Sequence, residues 1–132
     1  MIYFISGHRD LSYEDFEKYY IPVIESIVSR DPDAAFVVGD CDGVDKFAMD
    51  YIYSEYDYPL TVYHMFNSPR NTPEGIAIET AKEDDVYFVG GFTSDEERDS
   101  AMTKASDFDI AFVKDNRWNS GTAQNIKRRH EI

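Results

Sequence analysis

Four arginines, Arg9, Arg70, Arg98 and Arg117, stand out in this sequence. Three of them lie in short polar stretches, "SGHRD" (6–10), "NSPRN" (67–71) and "NRWNSGT" (116–122). A guanidinium is a planar donor fork that matches phosphate, so arginines gathered at one place would form an anion site. "GDCDGVDKFA" (39–48) adds Gly39, Asp40, Gly43 and Lys46 directly after the apolar run 34–38. A glycine turn leading from a buried strand into a helix exposes backbone N–H groups, and the helix dipole adds partial positive charge. Ser120, Gly121 and Thr122 open a second such turn, with two hydroxyls able to donate hydrogen bonds. Ser6, Gly7, His8 and Arg9 form a third stretch of the same kind. Among the acids, Asp45, Glu97 and Asp99 fall beside these turns, and a carboxylate pair could activate water and stabilise a cationic sugar centre in N-glycosidic cleavage.

Other chemistries fit less well. An EF-hand started at Asp40 meets its glycine at the fourth position rather than the sixth, and no glutamate closes it, so a metal loop is not expected. Neither a P-loop lysine pattern nor G-x-G-x-x-G occurs. Taken alone, 39–45 reads as an ordinary strand-to-helix turn capped by Asp40 or Asp42. His8 is a candidate phosphate contact or acid, whereas His64 reads as structural. Cys41 has no evident base beside it and reads as incidental.

These residues need a frame that brings loops together. Apolar runs at 2–6, 34–38, 60–65 and 108–113 predict strands. Ser12 with Asp15 marks a helix start, and Phe16, Tyr19, Tyr20, Val23, Ile24 and Ile27 recur at helical spacing, with Pro22 kinking or splitting that helix. Further helices are expected at 43–56, 74–82 (short), 94–105 and 122–130, while 86–92 is ambiguous between strand and ordered loop. Strands alternating with helices predict one Rossmann-like three-layer α/β domain over 1–132, with a mainly parallel sheet. In such sheets ligands sit beyond the carboxyl ends of the strands, where strand order reverses. Those ends carry the arginine and glycine stretches.

The 132 residues include 26 acids against 13 lysines and arginines, a formal net charge of −13. That field opposes nucleic acid and anionic membranes. No apolar stretch approaches a membrane span, the N-terminus lacks a secretory pattern, and a single cysteine suits a reducing compartment, so a cytoplasmic protein is expected. Ten tyrosines and nine phenylalanines leave material for a homodimer or higher homo-oligomer.

"FISGHRD", "VVGDCDGVDKFA", "YHM…PRN", "GGFTSDEERDSAMTKASDFDIAFV" and "NSGTAQN", in this order and over nearly the whole chain, resemble the SLOG superfamily, in particular its small stand-alone YspA/YpsA-like branch of DUF2493 type. The superfamily includes the "lonely guy" phosphoribohydrolases and the DNA-processing protein A. The resemblance implies a Rossmann-like fold whose site is built from the first loop and the two glycine turns. Arg98 and Met102 match the hydrolases' arginine–lysine–x–x–methionine helix motif, with Asp99 in place of the lysine. Gly121 and Thr122 match their P-G-G-x-G-T-x-x-E turn, but Asn125 stands where the catalytic glutamate would be. An amide cannot serve as a general base.

The ligand set expected from these readings is Ser6, Gly7, His8, Arg9, Gly39, Asp40, Gly43, Asp45, Arg70, Arg98, Met102, Ser120, Gly121, Thr122 and Asn125. Arg98, Asp99 and Asp45 are the candidates for catalysis. The leading expectation is a module that binds a nucleotide or nucleotide-derived ligand, NAD- or ADP-ribose-like or a nucleoside monophosphate, with no cofactor or metal assigned. The alternative is a hydrolase of an N-glycosidic or phosphoribosyl bond. Single-strand DNA binding is disfavoured by charge.

Overall fold

In the computed structural model of the chain, which describes residues 1–114, 117 and 120–130, five strands form one parallel sheet. In chain order the elements are β1 (Ile2–Ser6), α1 (Tyr13–Tyr19), α2 (Ile21–Arg30), β2 (Ala35–Val38), α3 (Val44–Glu55), β3 (Leu60–Met65), a 3-10 helix (Ile78–Asp84), β4 (Val86–Phe92), α4 (Asp95–Ala105), β5 (Phe108–Ala111) and α5 (Gly121–His130). The sheet order is β4-β3-β2-β1-β5. The chain therefore steps outward from β1 to β4, then returns to lay β5 on the free side of β1. Strand order reverses between β1 and β5, and the loops leaving those two strands diverge there.

Alternation along the strands builds two cores. Tyr3, Ile5, Phe36, Val38, Leu60 and Val62 face α1, α2 and α3, forming the larger cluster with Phe16, Tyr20, Ile24 and Met49. Phe4 and Val37 point to the other face, where they meet Met102 of α4. Helices thus cover both sides of the sheet, as the strand–helix alternation predicts.

Several expectations are sharpened or corrected. The segment 86–92 is a full strand, β4, paired with β3. The short helix lies at Ile78–Asp84 and has 3-10 geometry, rather than an α-helix from 74. The last strand stops at Ala111, two residues short of the apolar run. Pro22 splits its helix in two: α1 ends at Tyr19, and α2 restarts with the proline in its first turn, where a missing N–H costs nothing.

Tyr20, at this joint, does more than fill the core. Its buried hydroxyl donates to the Ser6 carbonyl (2.7 Å) and accepts from the Phe112 N–H (3.0 Å). It thereby ties together the carboxyl ends of β1 and β5, the place where the sheet opens. No helix among the described residues is long and apolar enough to cross a membrane.

Candidate functional site

A cleft of about 430 Å³ opens at the carboxyl ends of β1 and β2, walled by the starts of α4 and α5. Phe4 and Met102 give its base an apolar part, and Ser6, Gly7 and Gly39 supply the strand ends. Asp45, Arg98, Asp99 and Asn125 form the polar floor. Arg9, Asp10, Asp95 and Arg117 stand around the mouth, and Ser120, Gly121 and Thr122 form the edge at the start of α5. His8 and Cys41 also line it. Asp40, Gly43 and Arg70 do not line it. The neighbouring residues 115, 116, 118 and 119, which include Asn119 of the "NSGTAQN" motif, lie outside the described residues.

At the start of α5, Ser120 accepts the Ala123 N–H on its hydroxyl (3.2 Å) and the Gln124 N–H on its carbonyl (3.0 Å). Its hydroxyl, read from the sequence as a donor, thus acts here as a helix cap. Gly121 and Thr122 occupy the first turn, whose N–H groups have no intrahelical acceptor. A side chain at Gly121 would meet nothing within 4 Å, and the backbone there is not left-handed. This edge is open and rich in donors.

The turn after β2 obeys the same sequence rules yet is closed. The carboxylate of Asp45, two residues into α3, folds back and accepts the Cys41 N–H at 3.1 Å. The anion seated at this helix start is therefore the chain's own. Neither Asp40 nor Asp42 caps the helix; its first flanking residue is Gly43, which makes no side-chain cap. Gly43 has φ 74°, and a Cβ there would overlap the backbone carbonyl of Arg9, so only glycine fits. At Gly39 an added Cβ would stand 2.6 Å from Asp45 Oδ2 and 3.2 Å from the Arg98 guanidinium carbon. The glycine makes room for that pair. The glycines of "GDCDGVD" thus serve internal packing.

Arg98 is 4% exposed and lies in a ring of acids. It donates to Asp40 Oδ1 (2.9 Å) and, through Nε and Nη2, to Asp99 Oδ1 (3.1 and 3.0 Å), with Asp95 at 3.4 Å. Asp40, fully buried, also receives the Arg70 backbone N–H (2.7 Å) and the Arg70 guanidinium (2.9 Å). Burial pushes Asp40 up, but the hydrogen bonds from Arg70 and the charges of Arg70 and Arg98 outweigh it and hold it ionised below its usual range. Asp40 and Arg70 therefore form a brace that fixes Arg98 and the loop after β3.

The two floor acids shift in the opposite direction to Asp40. Burial raises Asp45 to about 7 against the pull of Arg98. Burial also raises Asp99, against the charge and hydrogen bonds of Arg98 and a hydrogen bond from Asn125. At the mouth, Arg117 grips Asp10 with two hydrogen bonds (2.6 and 2.8 Å) and holds its carboxyl down at about 2. Arg9 pairs with Asp95 at 3.0 Å. Each arginine bordering the cleft thus already has a carboxylate partner, and an incoming anion must compete for it.

His8 accepts the Lys114 N–H on Nε2 at 2.9 Å, and burial, reinforced by Arg117, lowers its pKa. It is a neutral strut between the loops after β1 and β5, with that nitrogen unavailable to a phosphate. Cys41 is buried and its thiol is pushed up by burial and by Asp45, so it is no ready nucleophile. Glu97 turns away to accept from the Thr93 N–H and hydroxyl, while its own N–H bonds to the Ser94 cap. His64 packs its ring over Gly90 and bonds the Met65 carbonyl through Nδ1. No group of three or more His, Cys, Asp or Glu among the described residues is arranged to hold a metal ion.

No protein-family model, curated protein or solved structure matches the chain.

Sequence reasoning assigned no role to Asp10, Asp95 or Tyr20. Asp95 carries a signal: it precedes Arg98 by three residues on one helix, the spacing at which such pairs meet. Tyr20 was legible as a core position, but its hydroxyl bridge depends on the β1–β5 pairing, which no local pattern encodes.

Proposed function

We propose that this chain binds a nucleotide or a nucleotide-derived ligand in the cleft at the carboxyl ends of β1 and β2, against the start of α5, in the manner of SLOG-type modules, as a sensor or processing domain. One observation carries the reading. The open, donor-rich start of α5 and the arginines Arg9 and Arg117 share one cleft with the polar floor, at the point where strand order reverses. A volume of about 430 Å³ lies within the usual range for small-ligand sites. The phosphate end belongs at Gly121 and Thr122 rather than at the turn after β2, because Asp45 already fills the latter. Arg117 is the cation beside that end, once it exchanges Asp10 for the ligand. Thermal-shift screening of nucleoside mono- and diphosphates, NAD and ADP-ribose tests the proposal. A ligand at 100 times its Kd adds about 2.7 kcal/mol of stability. No shift with any compound at millimolar concentration would count against it.

A second reading, cleavage of the N-glycosidic bond of such a ligand, is favoured by the two acids on the floor, Asp45 buried and Asp99 half-buried. A carboxyl near 7 can carry a proton at neutral pH and pass it to a leaving base, while the second stabilises the sugar centre that water attacks. Release of free base from a nucleoside monophosphate panel, lost in Asp45→Asn, would establish it.

A further inference from the structure

The floor of the cleft holds more acceptor capacity than the protein itself uses. Asp45 receives one hydrogen bond among the described residues, from Cys41 N–H, although a carboxylate can accept about four. Asp99 spends one oxygen on Arg98 and takes one further side-chain hydrogen bond, from Asn125, again short of its capacity. Beside them, Ser6 is only 5% exposed, lines the same cleft, and its Oγ has no hydrogen-bond partner among the described residues. Buried hydroxyls are normally satisfied, and this one sits at the last position of β1 on the face of Phe4, which also lines the cleft. Ile5 pairs with Val38, so the next step along both strands sets Ser6 beside Gly39, and it is over Gly39 that Asp45 and Arg98 converge.

We propose that Asp45, Asp99 and Ser6 form a subsite for the vicinal hydroxyls of a pentose, so that the ligand lies sugar-inward with its phosphate toward the start of α5. This rests on the nucleotide reading and adds the sugar class to it. The charge balance selects a neutral group: Arg98 lies among the acids and offsets them, so a cationic ligand would face a buried guanidinium. A second anion would face two carboxylates. A diol answers both conditions, because each hydroxyl donates to a carboxylate and can accept from Ser6 Oγ. A site built to hydrogen-bond a hydroxyl discriminates strongly against the analogue that lacks it, since its own buried groups are then left unpaired.

The test is isothermal titration calorimetry of the full chain with AMP, GMP, CMP and UMP, each beside its 2′,3′-dideoxy counterpart. The expected result is that the tightest ribonucleotide loses at least about tenfold in affinity on losing both hydroxyls. Asp45→Asn and Ser6→Ala should each narrow that ratio, with unchanged far-ultraviolet circular dichroism. Equal affinity for a ribonucleotide and its dideoxy form overturns the subsite and leaves the nucleotide reading standing. A ratio unchanged in both variants overturns the assignment to these residues. Absence of binding by all the compounds overturns the subsite together with the reading beneath it.

Discussion

Asp45 and Arg98 carry the tension in this molecule. A carboxyl raised to about 7 in the folded chain, against 3.8 as its ordinary value, keeps a proton that the unfolded chain has released between about pH 4 and pH 7. Protonation therefore favours the fold, and this contribution is lost as the pH rises through 7. Asn at this position can still accept the Cys41 N–H and never ionises. Asp45→Asn is expected to be more stable than wild type at pH 8, by up to about 4 kcal/mol, with the gap closing toward pH 4. Urea denaturation across that range measures it, and a gap that widens on acidification would contradict the account. Arg98 behaves in the opposite sense. Although its place suggests a phosphate contact, its donors are spent on Asp40 and Asp99, so Arg98→Ala strands buried carboxylates. It should cost about 3–5 kcal/mol of stability rather than merely weaken a ligand. A melting curve superimposed on that of wild type would show the ring of acids to be dispensable.

At the level of elements, two strand-to-helix turns with similar sequence grammar end differently. The start of α5 is open and the start of α3 is filled. The difference lies in one side chain: Asp45 occupies the second position of α3, while Thr122 holds that place in α5. Gly121→Val separates structure from binding at the open end. The Cβ enters empty space at a backbone angle that valine tolerates, so the melting temperature should stay within about 2 °C of wild type. Affinity for the ligand should nevertheless fall about tenfold or more as the branch intrudes on the phosphate. Calorimetry on the folded variant checks both parts. The elements themselves were largely legible: runs such as "IYFIS" and "AFVV" are apolar because the central strands of a parallel sheet are buried on both faces. "VYFVGGF" was not, because β4 is an edge strand with several exposed positions and two glycines, and only its ladder to β3 makes it a strand. The site was legible as a set of loops, since topology alone sends Ser6–Arg9, Gly39–Cys41 and Ser120–Thr122 to one edge. Individual roles were hidden. Asp40, Gly43 and Arg70 look like ligand groups in sequence and do not line the cleft, because which acid meets which arginine is decided across about 30 to 60 residues of chain, as in Asp40–Arg70 and Asp40–Arg98.

Across the whole molecule, a parallel sheet with helices on both faces sets one cleft at the reversal of strand order, and the net charge of −13 surrounds it. The basic groups at its mouth, Arg9 and Arg117, are already neutralised by Asp95 and Asp10. The acidic net charge opposes the counterion-release binding of a polyanion. Single-stranded DNA should not bind at about 150 mM salt, and micromolar affinity in fluorescence anisotropy would mean that charge had been weighed wrongly. The claim on which the rest depends is that a nucleotide occupies the cleft at the carboxyl ends of β1 and β2. A proton–nitrogen correlation titration with AMP, GMP, CMP and UMP tests it most directly. With at least one of them, the amides of Ser6–Arg9, Gly39–Cys41, Asp99–Met102 and Gly121–Asn125 should shift together and saturate with one Kd, while those of β4 stay fixed. Shifts confined to β4 or the 3-10 helix, or no saturable shift with any nucleotide, would contradict it.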